Sequence, residues 1–429
     1  MIIIHAADLH LGSPLGGLDQ HAALPAQQIR SAPLAAFQRI AELCEQREAD
    51  LLLIAGDVFD GDASHVVIRE AASVLRRIAA AGTSIVTIRG NHDAQSRMQR
   101  NLPLIERVYE LSSSEPETLE FEDLGVAVHG RGFDTQRVPD NIVTTYPARI
   151  DGMYNIGMLH TSLEGNAQHA SYAPCHVDDL VAHGYDYWAL GHIHQHAIVR
   201  AGDPWIVFAG SPQGRHIGEI GAHGVYVLDV QDGALATAPE HVELAVLQWH
   251  HVRVNVTDEA LDADAVCALA GAKMIAETAG AGSDVLHVVR MELTGRCAAH
   301  LELMREPGRW REALVNEADA AGCHLEKTVI RTAPVLPSPE VLLEQQDFIG
   351  TLARYLASDV ADAQAAAELG AALPVPAPIE RLDTKLRGLG GDGDALRGQG
   401  VTLVEREAAN DELLARLVVA VHEQAEEDR

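Results

Sequence analysis

Eight short apolar runs in the first 230 residues constrain this chain most, because each is long enough for a buried strand and too short for a buried helix. They are "MIIIHAA", "DLLLIAGD", "SIVTIRG", "GVAVHG", "YNIGMLH", "YDYWALGH", "WIVFAGS" and "HGVYVLDV". Between the first three lie "LAAFQRIAELCEQREA" and "VVIREAASVLRRIAAAG", whose apolar residues recur at spacings of three and four. The second closes on Gly82, as a helix C-terminus does. Strands alternating with helices predict an α/β layered sheet. The later runs have fewer helices between them, which predicts a second, more antiparallel sheet.

The pattern changes over 241–335. "HVRVNV", "VLHVVRMEL" and "HLEKTVIRT" read as strands, and "DADAVCALAGAKMIAETAG" and "RWREALVNEADAAG" as helices, so this segment is a smaller α+β unit. After the proline-rich "APVLPSPE" comes a helical region, 336–429, with Leu342, Ile349, Leu352 and Leu356 along one face and Leu413, Leu417 and Val421 along another. The expected domains are therefore 1–240, 241–335 and 336–429.

What the strands carry at their ends is more telling than the strands. The first is followed by Asp8 and His10, the second by Asp57, the third by Asn91, His92 and Asp93. "MLHTS" supplies His160, and "LGHIHQH" supplies His192 and His194. Residues two apart on a strand share a side, and open α/β sheets build their sites beyond the carboxyl ends of the strands. Imidazoles, carboxylates and an amide without thiolates suit Mn, Fe, Zn or Mg. A pair of such cations stabilises both the attacking and leaving oxygens of a phosphoryl displacement, and Asp57 is the natural carboxylate to bridge them.

Charge and cysteine usage set limits. The formal net charge is −30, with lysine only at Lys273, Lys327 and Lys385. Such a surface repels phosphate backbones in general, so a nucleic-acid substrate would be held by bound metal, a few arginines or a partner. From Ser338 onward 18 Asp/Glu face 8 Lys/Arg, which argues against that region gripping DNA. An acidic, lysine-poor surface also suits a high-salt cytoplasm. Five cysteines without a CxxC spacing argue against a disulfide framework or a cysteine zinc site and fit a reducing cytosol. No apolar run is long enough for a membrane span, and the N-terminus reads as a strand rather than a signal peptide. A cytoplasmic protein is expected.

The fuller motifs "IHAADLHLGSPL", "LIAGDVFDGD", "IRGNHDA", "GMLHTSL" and "YDYWALGHIHQ" resemble those of calcineurin-like metallophosphoesterases, and within them the SbcD family of DNA repair exonucleases, in particular its YhaO-type branch. The resemblance covers roughly residues 1–230; the 241–335 unit matches only in position and size, as a capping domain. It implies two packed mixed sheets flanked by helices in four layers, a smaller α+β cap and a helical C-terminal tail. It further implies that Asp8, His10, Asp57 and His194 hold one divalent metal, and that Asp57, Asn91, His160 and His192 hold the other, with Mn first among the candidate ions. His92 would then stabilise or protonate the leaving oxygen, Asp93 would orient its ring, and a hydroxide activated by the two metals would attack. The implied reaction is phosphodiester hydrolysis on DNA, alongside an SMC-like coiled-coil ATPase that docks on the helical tail; monomer and homodimer both stay open. One departure is Asp60, where some nuclease members carry a histidine.

Arg89, Arg97 and Arg215 lie near the motifs and could pair with phosphate. "LEGNAQHASYAPCH", with Tyr172, His169 and His176, could be a substrate-facing loop. His5 reads as structural, and His65, His129, His183 and His196 as surface residues. Gly90 is expected to let the backbone turn tightly. A small-molecule phosphodiesterase or phosphatase is the competing activity, and a scaffold with a vestigial site the third reading.

Overall fold

The computed structural model describes residues 1–13, 25–61, 63–95, 104–163, 172–257, 262–279, 284–335 and 344. Nearly all of the expected helical tail, 336–429, lies outside the described residues, as do Arg97 and His169.

In chain order the strands are β1 (Ile2–Ala6), β2 (Leu51–Ala55), β3 (Ser84–Ile88), β4 (Val108–Glu110), β5 (Glu117–Phe121), β6 (Val126–Gly130), β7 (Tyr154–His160), β8 (Tyr187–Gly191), β9 (Ala197–Arg200), β10 (Trp205–Phe208), β11 (Gly224–Gln231), β12 (Ala234–Leu235), β13 (Glu240–Glu243), β14 (Leu247–Asn255), β15 (Leu286–Cys297) and β16 (His324–Pro334). The helices are α1 (Ala26–Arg47), α2 (His65–Ala80), α3 (Val177–His183), α4 (Ala263–Thr278), α5 (His300–Arg305) and α6 (Pro307–Ala320). All eight apolar runs are strands. Short edge strands such as β4, β9 and β12 carry too few residues to show a period.

The first sheet runs β12-β11-β1-β2-β3-β4, with β13 also on β11. Its β1-β2-β3-β4 portion is parallel and β11 is antiparallel to β1. The second runs β5-β6-β7-β8-β10-β9. Here β6, β7, β8 and β10 are parallel and only the edges β5 and β9 are antiparallel. This corrects the expectation of a second sheet more antiparallel than the first: its strands are linked by longer excursions, not tight turns, and such connections return the chain in the same direction.

Alternation along the strands places the layers. Ile3, Leu51, Leu53, Val86 and Ile88 pack with Val128, Ile156, Met158 and Val207 of the second sheet. Ile4, Leu52, Ile54 and Ile85, on the opposite face, pack with Phe37, Ile40, Leu75 and Ile78 of α1 and α2. Leu159, Trp188, Leu190 and Ile206 cover the far side of the second sheet together with Leu180 of α3. Helix, sheet, sheet and helix layers follow, and strands buried on both faces explain why the runs are apolar without a polar alternate.

Compact units divide the described residues as 1–252 with 270–291 and 314–328, and 253–269 with 292–313 and 329–335. β14, β15 and β16 form a three-stranded sheet in that order. In the second unit Glu292, buried, takes Arg253 at 3.0 Å and Arg331 at 2.9 Å.

Polar groups also lie inside the layers of the first unit, His129 and His5 among them. His129, expected on the surface, is fully buried: Thr118 and Asn155 hydrogen-bond its two nitrogens and Tyr185 stacks on it at 4.3 Å. His5 is buried with Nδ1 2.9 Å from the Tyr187 hydroxyl, and burial pushes its imidazole down to about 3. Between that value and the ordinary 6.5 the unfolded chain binds a proton that folded His5 refuses, so stability falls as pH is lowered through this window, by up to about 1.4 kcal/mol per unit. Urea midpoints measured from pH 6.5 to 4.5 should therefore slope less in His5→Gln than in the parent chain; equal slopes would refute the assignment.

Candidate metal centre

The polar side chains after β1, β2, β3, β7 and β8 converge at one end of the two sheets of the first unit. Reaching a common point requires sharp backbone reversals there. Asp8 (φ 53°), His10 (φ 45°), Asp57 (φ 52°) and His192 (φ 98°) all take the left-handed conformation, which costs an L residue energy and which Asp and His tolerate better than most. The reversals are held by backbone bonds from Asp8 N to Gly56 O and from His10 N to Asp57 O, both 3.0 Å.

The donor atoms are close enough to share cations. Asp8, His10 and His194 form one group, and Asp8, Asp57 and His160 another, each with ligand atoms within 4.8 Å of one another. The Nε2 atoms of His10 and His194 are 3.1 Å apart. Asp57 Oδ2 lies between the two sets, 3.8 Å from His10 Nε2 and 3.4 Å from His160 Nε2. Asn91 Oδ1 sits 3.0 Å from His160 Nε2. The His192 ring is 5.2 Å from that of His160, and its backbone N–H donates to both Asp8 oxygens at 3.2 and 3.0 Å. All the predicted ligands are thus brought together, and Tyr172 packs on His192 at 4.9 Å.

Electrostatics at this point favours a cation. Burial raises the Asp8 carboxyl against the pull of His160 and His194. For Asp57 burial acts the same way, but His160, His10 and His92 outweigh it and hold the carboxyl low. His160 shows the converse: burial lowers it, yet Asp57 and Asp8 push it up to about 9. The buried carboxylates gather positive charge, which a divalent ion supplies equally well. Burial and Arg215 press His10 well below its ordinary value, and burial with His160 presses His192 to about 3, so both rings offer lone pairs. His10 Nδ1 is buried without a hydrogen-bond partner among the described residues. This set of oxygen and nitrogen donors fits divalent cations.

Second partners orient several rings. His160 Nδ1 donates to Ala55 O at 3.0 Å, and His194 Nδ1 to Glu219 Oε1 at 2.7 Å. Glu219, which no sequence motif marked, is held low by His194 and Arg215 against the effect of burial.

His92 stands beside the ligands, its ring 4.9 Å from that of His10. Its partner differs from expectation. Asp60 Oδ1 is 2.8 Å from His92 Nδ1, and that bond raises the imidazole while holding Asp60 at about 2. Asp93 instead accepts the backbone N–H groups of Val58, Phe59 and Gly90 at 3.2, 3.0 and 3.0 Å, tying the loops after β2 and β3 together. Successive residues of a tight turn point in different directions, so sequence adjacency misled. Gly90 is needed for a different reason as well: its φ is not positive, and a Cβ there would strike the Asp57 carboxylate.

Of the three arginines proposed for phosphate, the two among the described residues are already paired. Arg89 pairs with Glu110 at 2.8 Å, and Arg215 reaches Asp60 at 3.3 Å and Glu219 at 3.2 Å. His176 is exposed at the start of α3.

Comparison with known proteins adds family matches over two segments. Residues 1–196 match the family described as calcineurin-like phosphoesterase, and residues 249–333 the middle domain of metallophosphoesterase YhaO. A Bacillus subtilis protein, named as an uncharacterized metallophosphoesterase YhaO, is 32% identical over 60% of this chain and 64% of its own length. The DNA double-strand break repair protein Mre11 of Methanopyrus kandleri is 26% identical over 45% of this chain and 44% of its own. The chain thus spans less than two thirds of either relative. A dimetal phosphatase from Danio rerio superposes with a TM-score of 0.34 at 9% identity, covering 53% of this chain and 92% of the other.

Proposed function

We propose that this chain, whose residues 1–196 match the calcineurin-like phosphoesterase family, is a metal-dependent phosphodiesterase that hydrolyses DNA, acting as an exonuclease in DNA repair. The observation that carries the reading is the placement of His92, paired with Asp60, beside the clustered side chains of Asp8, His10, Asp57, His160 and His194.

In this proposal Asp8, His10, Asp57 and His194 would hold one cation, and Asp57, Asn91, His160 and His192 the other, with Mn the first candidate. When bound, the cations supply Lewis-acid stabilisation of the phosphoryl oxygens and lower the pKa of the attacking water. The protein's own groups do the rest. Asp60 accepts the Nδ1 proton of His92 and favours the charged ring, leaving Nε2–H to be given to the departing oxygen. Asn91 and His92 are adjacent, but the His92 backbone N–H is anchored on Asp57 Oδ1 at 2.8 Å, which separates ligand from proton donor.

DNA as substrate draws on the similarity to the repair protein of Methanopyrus kandleri, and an SMC-like ATPase partner belongs to the same proposal. The net charge of −30 favours the second reading, a small-molecule phosphodiesterase. Linear duplex DNA and a chromogenic phosphodiester, each with Mn²⁺, separate the two. We expect both to be cleaved, with His92→Ala slower by about 10²–10⁴-fold and still binding Mn²⁺. Turnover of the chromogenic ester alone would reject DNA, and loss of Mn²⁺ binding in His92→Ala would reject the role given to that ring.

A further inference from the structure

A single guanidinium touches both halves of this site. Arg215 Nη1 lies 3.3 Å from Asp60 Oδ2, whose other oxygen holds His92 Nδ1 at 2.8 Å. Arg215 Nη2 lies 3.2 Å from Glu219 Oε1, which holds His194 Nδ1 at 2.7 Å. We infer that Arg215 and Glu219 form a positioning pair that fixes the metal-ligand ring of His194 on one branch and the Asp60–His92 pair on the other.

The local backbone is built for this. Glu219 Oε2 accepts the Arg215 backbone N–H at 2.7 Å, and Glu219 N donates to His216 O at 2.8 Å, so the turn closes on its own carboxylate. His223 Nε2 supports it from behind, 3.1 Å from Glu219 O. Gly214 leaves no room for a side chain, since a Cβ would lie 2.6 Å from that same carbonyl oxygen and 2.9 Å from His223 Nε2.

The chemistry follows from the donors. A carboxylate that accepts from His194 Nδ1 keeps the proton on that nitrogen and presents the Nε2 lone pair, 3.1 Å from His10 Nε2. The planar fork of arginine reaches carboxylates on two sides, which the point charge of lysine does not. An arginine that gripped substrate phosphate would keep its fork open to solvent. The Arg215 side chain is only 13% exposed, and both terminal nitrogens are already on carboxylates.

The inference rests on the metal-centre reading, so its test begins with metal. In the full-length, metal-free protein, Glu219→Gln should bind Mn²⁺ about 10–100-fold more weakly than the parent, measured by titration calorimetry, with an unchanged circular dichroism spectrum. Arg215→Lys should lower kcat on a chromogenic phosphodiester by up to about 10²-fold while leaving KM close to the parent value. Because each carboxylate is anchored through the same guanidinium, the double variant should lose less than the product of the single losses. Undiminished Mn²⁺ affinity in Glu219→Gln would overturn the inference, as would a raised KM at constant kcat in Arg215→Lys, the mark of a phosphate-binding arginine. Should Arg215→Lys not fold, the isosteric Glu219→Gln still decides the metal branch. Parent protein that took up no Mn²⁺ would overturn the metal centre itself, a result distinct from the others.

Discussion

Asp57→Asn should abolish phosphodiester hydrolysis and, unlike His92→Ala, should also strip the protein of metal. The carboxylate is buried between His10 and His160, with Oδ2 3.8 and 3.4 Å from their Nε2 atoms. Bound cations contribute several kcal/mol to a phosphoryl transition state, and each 1.4 kcal/mol is about tenfold in rate, so kcat/KM should fall by roughly 10³-fold or more. The substitution also removes the larger of the two carboxylate charges that lift His160 to about 9, and that imidazole should titrate lower in the metal-free variant. Elemental analysis of the purified variant, with NMR titration of the His160 ring, checks both expectations. An Asp57→Asn protein that kept its full metal content would sink the bridging role.

Gly191→Ala should damage stability and metal binding together. Gly191 ends β8 opposite His160 of β7. A Cβ there would run into the Ala55 carbonyl oxygen and come within 3.0 Å of His160 Nδ1. That oxygen is the one that accepts the His160 proton, so the methyl group would push apart the hydrogen bond that aims a ligand ring. Overpacking of this kind costs about 1–3 kcal/mol, and misplacement of a reacting group by about 1 Å can cost 10²-fold in rate. Thermal melting of the metal-free protein and Mn²⁺ affinity should both drop. Parent-like values for both would show that the strand end yields freely.

The layers and most of the site were readable because both depend on patterns of short range. Strands buried on two faces leave continuous apolar runs, and ligands at strand ends stand out as the first polar residues after them. Less local facts were hidden. Asp60 was visible three residues after Asp57, but nothing in the order of letters says that it, and not the adjacent Asp93, meets the His92 ring. Glu219 is 25 positions from His194 and joins it only because β10 and the turn after it return to the same end of the sheets. His129 looked like a surface residue because burial of a histidine depends on partners, here Thr118, Asn155 and Tyr185, drawn from three other segments. The parallel core of the second sheet was missed because strand direction is set by where the connections run, not by the composition of the strands.

The left-handed turns at Asp8, His10, Asp57 and His192 narrow what evolution or an engineer can install there. On the proposed metal-centre reading, a replacement must ligate a hard or borderline cation and must also accept a positive φ, a conformation that β-branched residues resist strongly. Threonine, whose hydroxyl is a plausible oxygen donor, fails on conformation before its chemistry is tried. Glycine passes on conformation and brings no donor. The alphabet left at these four positions is short, mainly Asp, Asn and His, and changing the preferred ion by exchanging ligands is confined to moves within it. Retuning would be freer at His160 and His194, which sit outside those turns and answer instead to Ala55 and Glu219.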